Sequence, residues 1–299
     1  MQSKNTKYDV KAYLQLIRAP GLFSIVSNIF ASSLIFHWLA GDSQLFVFPE
    51  FLLLLLISIL CYQAGMITND VADIVEDSSE RPFRPIPSGR IKKSTAIIFS
   101  TTFSLSALGF AGAYSWSLFL GTLSLLISIF SYNFLTKSTV FGAINMAGIR
   151  LLNWLLVAAL YSQFSLIFVN ICFMVFFYTL LITVISRYET TIFPEKIKTT
   201  LYCAVIFMAI VWIIGLKQQV FSLTSSVLLV IFLAWLTVSI YQFIAINQSD
   251  IQSWVTILLK NMVLLDALLL FACGLYGYAI LCLSLILLSK KTAQYVYLT

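Results

Sequence analysis

Nine apolar runs, each long enough to cross a bilayer, leave this chain few folds to choose from. A helix needs about 20 mainly apolar residues to span about 30 Å of hydrocarbon. Eight such runs lie near Gly21–Ala40, Phe46–Thr68, Ser94–Tyr114, Trp116–Phe134, Thr139–Leu160, Phe164–Ser186, Thr200–Leu216 and Phe221–Ile246. The ninth, Trp254–Ser289, would measure about 54 Å as one helix, too long for a single crossing, and Gly274 and Gly277 are its natural break. The spacing predicts an all-α, polytopic membrane bundle of nine transmembrane helices, or ten if the last stretch crosses twice. The whole chain, 1–299, reads as a single domain, and its first apolar run reads as a retained span, not a cleaved leader.

Composition agrees and excludes the alternatives. Only 10% of the residues are charged, against roughly 25% in a soluble domain, and mean hydropathy is +0.96. Disorder, coiled coil and a secreted disulfide scaffold are excluded with it. All five cysteines lie within apolar runs at spacings that suit neither a disulfide framework nor a metal site, so they read as hydrophobic filler. The net charge of +6 comes from Lys and Arg concentrated in the tail (residues 1–20) and a few loops. Such placement sets orientation and meets anionic lipid or phosphate; it gives no support to nucleic acid as a partner. Lys4, Lys7, Lys11 and Arg18, the loop 69–93, Lys137 and the loop 187–199 fall on one side, which predicts a cytoplasmic N-terminus and cytoplasmic even-numbered loops in a cell inner membrane or other cellular membrane.

Acids are scarce, yet five of the twelve occupy positions 70–80. If the second span continues as a helix through Asp77, then Asp70, Asp73 and Asp77 stand at i, i+3 and i+7 on one face, where they repel unless a cation or water intervenes. Oxygen-only donors, three carboxylates with the Asn69 amide, suit a hard ion such as Mg²⁺, which is commonly held by one or two carboxylates plus phosphate oxygens and water. Arg81, Arg84 and Arg90 follow, with guanidinium forks that match phosphate. Pro82, Pro85, Pro87 and Gly89 stop the helix and stiffen a return turn. A solvated acidic loop whose arginines only enforce topology is the plainer reading, and the ordered spacing weighs against it.

At these residues the chain resembles the UbiA superfamily of intramembrane prenyltransferases. Its first acidic motif, NDxxDxxxD, is matched by Asn69, Asp70, Asp73 and Asp77, and its RPxxSG tail by Arg84-Pro85-Ile86-Pro87-Ser88-Gly89. The tail spacing is most similar to the chlorophyll-synthase and archaeal-lipid branch. Arg18-Ala19-Pro20 resembles the family's Arg-x-Pro segment, and Tyr132…Lys137 and Gly142…Asn145 extend the likeness. The resemblance implies helices around a central cavity. It also implies Mg²⁺-dependent transfer of an isoprenyl group from an allylic polyprenyl diphosphate to an aromatic or other lipophilic acceptor. Asp70, Asp73 and Asp77 would then be the metal-binding and catalytic acids. Asn69, Arg81, Arg84, Lys137, Asn145, Arg150, Arg187 and Glu189 would bind substrate.

The family's second motif, DxxxD or DxxGD after span six, is not matched. That loop contains no aspartate; Glu189 stands where the motif would begin, beside Arg187, and Glu195 follows. A non-catalytic relative that binds or moves an isoprenoid or another amphipathic metabolite is therefore the second reading. Charges inside the spans, Arg150 with Asn145 and Asn153 nearby, and Lys260 with Asp266, face either a cavity or an interhelical network.

Overall fold

In a computed structural model the chain is all helical among the described residues, which are 10–42, 47–139, 141–188, 195–245 and 251–297. A short α1 (Val10–Leu16) precedes a 3₁₀ turn (Ala19–Gly21) and α2 (Leu22–Ala40). Next come α3 (Phe48–Ala72), a two-turn α4 (Ile74–Glu80) and α5 (Lys93–Tyr114). Helix α6 (Trp116–Ser131) continues into a π-helical turn (Tyr132–Thr136), and α7 (Phe141–Leu160) and α8 (Leu166–Ser186) follow. The last four are α9 (Glu195–Lys217), α10 (Val227–Ala245), α11 (Ile251–Ala272) and α12 (Tyr276–Tyr297).

Eight of these helices are long and apolar enough to cross a membrane on length and composition, and the apolar part of α10, Val227–Gln242, is shorter. The ninth apolar run breaks where its glycines predicted: Gly274 takes φ +79°, and α12 folds back antiparallel on α11. The chain is a multi-pass membrane protein. Helix α10 starts at Val227, later than expected from Phe221, because the Ser222 hydroxyl accepts from the Ser225 N–H at 2.9 Å and holds residues 222–226 in turns.

Helices α2, α3, α6, α7, α8, α11 and α12 surround a central chamber, while α5, α9 and α10 pack outside them. In lipid, tight helix pairs depend on small residues and interhelical hydrogen bonds. The α3–α5 pair shows both. Ser100, Ser104, Ala107 and Ala111 form the buried stripe of α5, Ser100 Oγ donates to the Ala64 carbonyl at 3.1 Å, and Thr68 Oγ1 and Ser100 Oγ lie 2.7 Å apart. Trp154, Tyr178 and Phe168 are the largest fully buried side chains, and the Tyr178 hydroxyl donates to the Leu258 carbonyl at 2.8 Å, tying α8 to α11. The outer surface carries the leucines, isoleucines and phenylalanines that lipid solvates.

The loop after α4 is itself folded. Ile86 and Ile91 are buried with Ala12 and Leu16 of α1, Ile67 of α3 and Ala96 of α5. Arg90, counted above with the phosphate-matching arginines, instead clamps this loop, donating to the Phe83 carbonyl at 2.6 Å and to Gln15 Oε1 at 3.0 Å.

Candidate active site at the mouth of the chamber

The acidic segment is not one continuous helix. At Asp73, φ −86° and ψ 6° end α3, and the chain resumes as α4, although Asp73 N–H still donates to the Asn69 carbonyl (2.9 Å) and Asp77 N–H to the Asp73 carbonyl (2.8 Å). This bend divides the three acids. Asp70 and Asp77, both buried, turn to the same guanidinium: Arg84 Nη1 lies 2.6 Å from Asp77 Oδ2 and 3.6 Å from Asp70 Oδ1. Asp73 turns the other way, onto the chamber wall, where it pairs with Lys137. Arg81 adds a longer contact to Asp77 Oδ1, at 3.8 Å.

Like charges at i, i+3 and i+7 need compensation, and the fold brings it from both directions along the chain. The π-helical turn at the end of α6 is one source. Its wide hydrogen bond, Lys137 N–H to the Tyr132 carbonyl at 2.9 Å, swings Lys137 toward Asp73 and Asn133 toward Asn69, whose Nδ2 donates to Asn133 Oδ1 at 3.0 Å. Such π turns recur at functional sites. The turn is braced from behind: Asn145 Nδ2 donates to Thr136 Oγ1 at 3.0 Å and Arg187 Nη2 to the Lys137 carbonyl at 2.8 Å.

The second source is Arg18. It holds a left-handed backbone (φ 46°, ψ 54°), strained for any residue with a Cβ, and aims Nη2 at Asp70 Oδ1 (2.9 Å) and Asn69 Oδ1 (3.2 Å). Pro20 and Gly21 make the turn that follows, and a Cβ on Gly21 would run into the Tyr62 hydroxyl.

Below this charged rim the chamber has a volume of about 1240 Å³ and a mostly apolar lining surface broken by hydroxyl, amide and cationic groups, with Tyr62 and Tyr132 as its aromatic lining. Arg150 reaches it from α7, donating to Asn28 Oδ1 at 2.7 Å. Asn28 Nδ2 in turn donates to Asp266 Oδ2 at 2.6 Å, as does Ser27 Oγ at 2.6 Å. Asp266 is thus tied to α2 and balances Arg150 through Asn28, an interhelical network with one cationic end on the chamber.

Among the residues expected from the sequence, Asn69, Asp73, Arg81, Arg84, Lys137 and Arg150 line the chamber. Asp70 and Asp77 stand behind that wall and hold its arginines; Asn145 and Arg187 are off the wall and hold the Lys137 turn. Glu189 lies outside the described residues. Arg18, which the sequence places in the basic tail and in an Arg-x-Pro segment but not among the substrate-binding residues, also lines the chamber.

Gly142 shows how tightly the Lys137 turn is built. A Cβ there would stand 2.5 Å from the Thr136 carbonyl oxygen and 3.1 Å from that of Lys137, and would meet the Arg187 guanidinium. Backbone carbonyls cannot swing aside like a side chain. Gly142→Ala is expected to destabilise the protein by about 1–3 kcal/mol, read as a lower thermal midpoint in detergent.

A model of the UbiA prenyltransferase family matches residues 29–262, more than three quarters of the chain. The chain belongs to that family. Among curated proteins it is similar to digeranylgeranylglyceryl phosphate synthase of Methanosarcina barkeri, 34% identical over 127 residues, which are 40% of this chain and 43% of that protein. The synthase of Sulfolobus acidocaldarius is 40% identical over 91 residues, 30% of this chain and 31% of that one. The chain thus spans about a third to two-fifths of the length of the curated relatives it matches.

Solved UbiA structures share the fold across nearly the whole chain. A UbiA homologue from Archaeoglobus fulgidus bound to GPP and Mg²⁺ has a TM-score of 0.68 at 17% identity, covering 91% of this chain and 99% of that one. A solved digeranylgeranylglyceryl phosphate synthase has a TM-score of 0.64 at 19% identity, covering 90% and 99%. The expected UbiA-like bundle around a central cavity is the fold observed.

Proposed function

We propose that this UbiA-family chain transfers an isoprenyl group from an allylic polyprenyl diphosphate to a lipophilic acceptor within the membrane. The observation that carries the reading is the placement of Arg18, Arg81, Arg84 and Lys137, with Asn69 and Asp73, around one end of a single chamber whose lining surface is mostly apolar. A diphosphate needs that rim, and an isoprenoid chain needs that apolar lining. The Archaeoglobus homologue bound to GPP and Mg²⁺ adds weight. Positive-inside counting puts the rim on the cytoplasmic face of the host membrane, with the N-terminus on the same side.

Mg²⁺ fits the donor chemistry. Among the described residues no three carboxylate, histidine or cysteine side chains converge on one point, which argues against an all-protein cage. Mg²⁺ is commonly held by one or two carboxylates with water and phosphate oxygens, and Asp73 and Asn69 on the wall, with Asp70 and Asp77 behind, supply such donors. When bound, the ion would help neutralise the diphosphate leaving group.

The chain's own residues do the rest. As the allylic C1–O bond breaks, its electron pair stays on the diphosphate, and Arg84, Arg81, Lys137 and Arg18 stabilise that growing negative charge. The apolar part of the lining keeps water from the allylic cation until a nucleophilic carbon or oxygen of the acceptor forms the new bond to C1; the acceptor's proton then leaves to bulk water or diphosphate. Tyr62 and Tyr132 line the chamber, and an aromatic face turned toward the cation would stabilise it.

Purified protein with GPP, Mg²⁺ and a membrane-lipid extract as acceptor source is expected to release diphosphate, and EDTA to stop the release. Mg²⁺-dependent GPP binding without any release would instead favour the binding or transport reading, which the missing aspartates after α8 motivate.

A further inference from the structure

Two cations on the chamber wall are left over once the rim is accounted for. The rim cations Arg18, Arg81, Arg84 and Lys137 face Asp70, Asp73 and Asp77, and Arg150 is balanced through Asn28 by Asp266. Lys260 of α11 and Lys290 of α12 also line the chamber, and among the described residues neither makes an ion pair. Lys260 lies within the membrane-spanning part of α11, Ser253–Ala272. An ammonium there is costly and is retained where it faces a wet cavity or an anionic partner. Asp266, six residues on, is not that partner, since its carboxylate is buried against Ser27 and Asn28.

The register of the two helices brings these lysines to one region. Cys282 Sγ lies 3.8 Å from the Val263 carbonyl in the antiparallel α11–α12 pair, which puts Lys290 level with about Val255, roughly 7 Å along the axis from Lys260. Two flexible four-carbon stems close such a gap easily. Ser289 Oγ donates to the Pro20 carbonyl at 3.2 Å, so this stretch of α12 abuts the turn that presents Arg18 to the acidic motif. The lysine pair and the diphosphate rim therefore border the same space from different walls, α11–α12 against α3 and α6.

We propose that Lys260 and Lys290 hold the anionic head, a phosphate or carboxylate, of an amphiphilic acceptor while the rim holds the diphosphate. This inference rests on the prenyl-transfer reading and names its acceptor class: an anionic amphiphile, in preference to a neutral one. The two lysines set acceptor specificity and leave diphosphate binding to the rim.

The test uses the full chain in a neutral detergent, with dodecyl phosphate, inorganic phosphate and GPP with Mg²⁺ as separate probes, each followed by isothermal calorimetry. Wild type is expected to bind dodecyl phosphate, and Lys260→Gln/Lys290→Gln to weaken it by about tenfold or more, with the Arg pair restoring it. GPP affinity in the same variant should stay within about twofold, which also reports that it is folded. Lys260→Gln alone serves if the double variant does not express. Lysine-independent dodecyl phosphate binding with GPP binding intact overturns this proposal alone. A parallel loss of GPP affinity also overturns it, assigning the lysines to the diphosphate. Inorganic phosphate binding as tightly as dodecyl phosphate, with the same lysine dependence, removes the amphiphile from the proposal and so overturns it. No GPP binding by the wild type fails the prenyl-transfer reading, and the acceptor role with it.

Discussion

Asp73→Ala is expected to slow Mg²⁺-dependent diphosphate release from GPP by about 10²–10³-fold, the size seen when one preorganised electrostatic group is removed from a site of charge development. Asp73 is the one member of the acidic triplet that lines the chamber, so its carboxylate is the one placed to share a cation with the substrate. Its loss frees Lys137, whose side chain is 33% exposed and can be resolvated, so little stability should be lost with the activity. Diphosphate release measured beside the thermal midpoint separates the two effects. A rate within threefold of wild type at saturating Mg²⁺ and GPP would remove Asp73 from the catalytic role.

Arg84→Ala is expected to act in the opposite way, costing stability first. The Asp77 side chain is 1% exposed, and its Oδ2 accepts from Arg84 at 2.6 Å while Oδ1 has no hydrogen-bond partner. Without Arg84 a buried carboxylate keeps only Arg81, 3.8 Å away and itself 38% exposed. Breaking a buried ion pair from one side typically costs 3–5 kcal/mol, and about 3 kcal/mol is expected here because Arg84 is 22% exposed and Arg81 remains. The diagnostic variant is Asp77→Asn/Arg84→Gln, which removes both charges and should be more stable than Arg84→Ala. Thermal unfolding in detergent checks the order; equal midpoints for Arg84→Ala and wild type would refute the buried-pair account.

The contrast between these two aspartates explains what could be read in advance. Spacing alone marked Asp70, Asp73 and Asp77 as a set with Arg81 and Arg84, since all lie within fifteen residues and local geometry carries that far. It did not divide their labour. The bend at Asp73 and the π turn that delivers Lys137 depend on contacts 64 residues apart, and Arg18 reaches Asp70 across 52. The family resemblance implies substrate binding by Asn145 and Arg187, but whether either touches the chamber depends on helix rotation. Their hydrogen bonds to Thr136 and to the Lys137 carbonyl make them supports of the rim.

By itself the sequence determined the solvent of this protein, the limits of most spans, the break at Gly274 and the clustering of acids and arginines on one side of the membrane. Those follow from local quantities: hydropathy over about 20 residues, the permissive backbone of glycine and the cost of charge in hydrocarbon. Only the tertiary structure decided which faces turn inward. The inner helices are apolar nearly all round, and because lipid and protein interior are both apolar, residue pattern cannot tell the face that meets a neighbour from the face that meets a fatty chain. Packing of small residues and a few long-range hydrogen bonds fix those rotations, and with them bring Arg18, Asp73, Lys137, Arg150, Lys260 and Lys290 around one chamber.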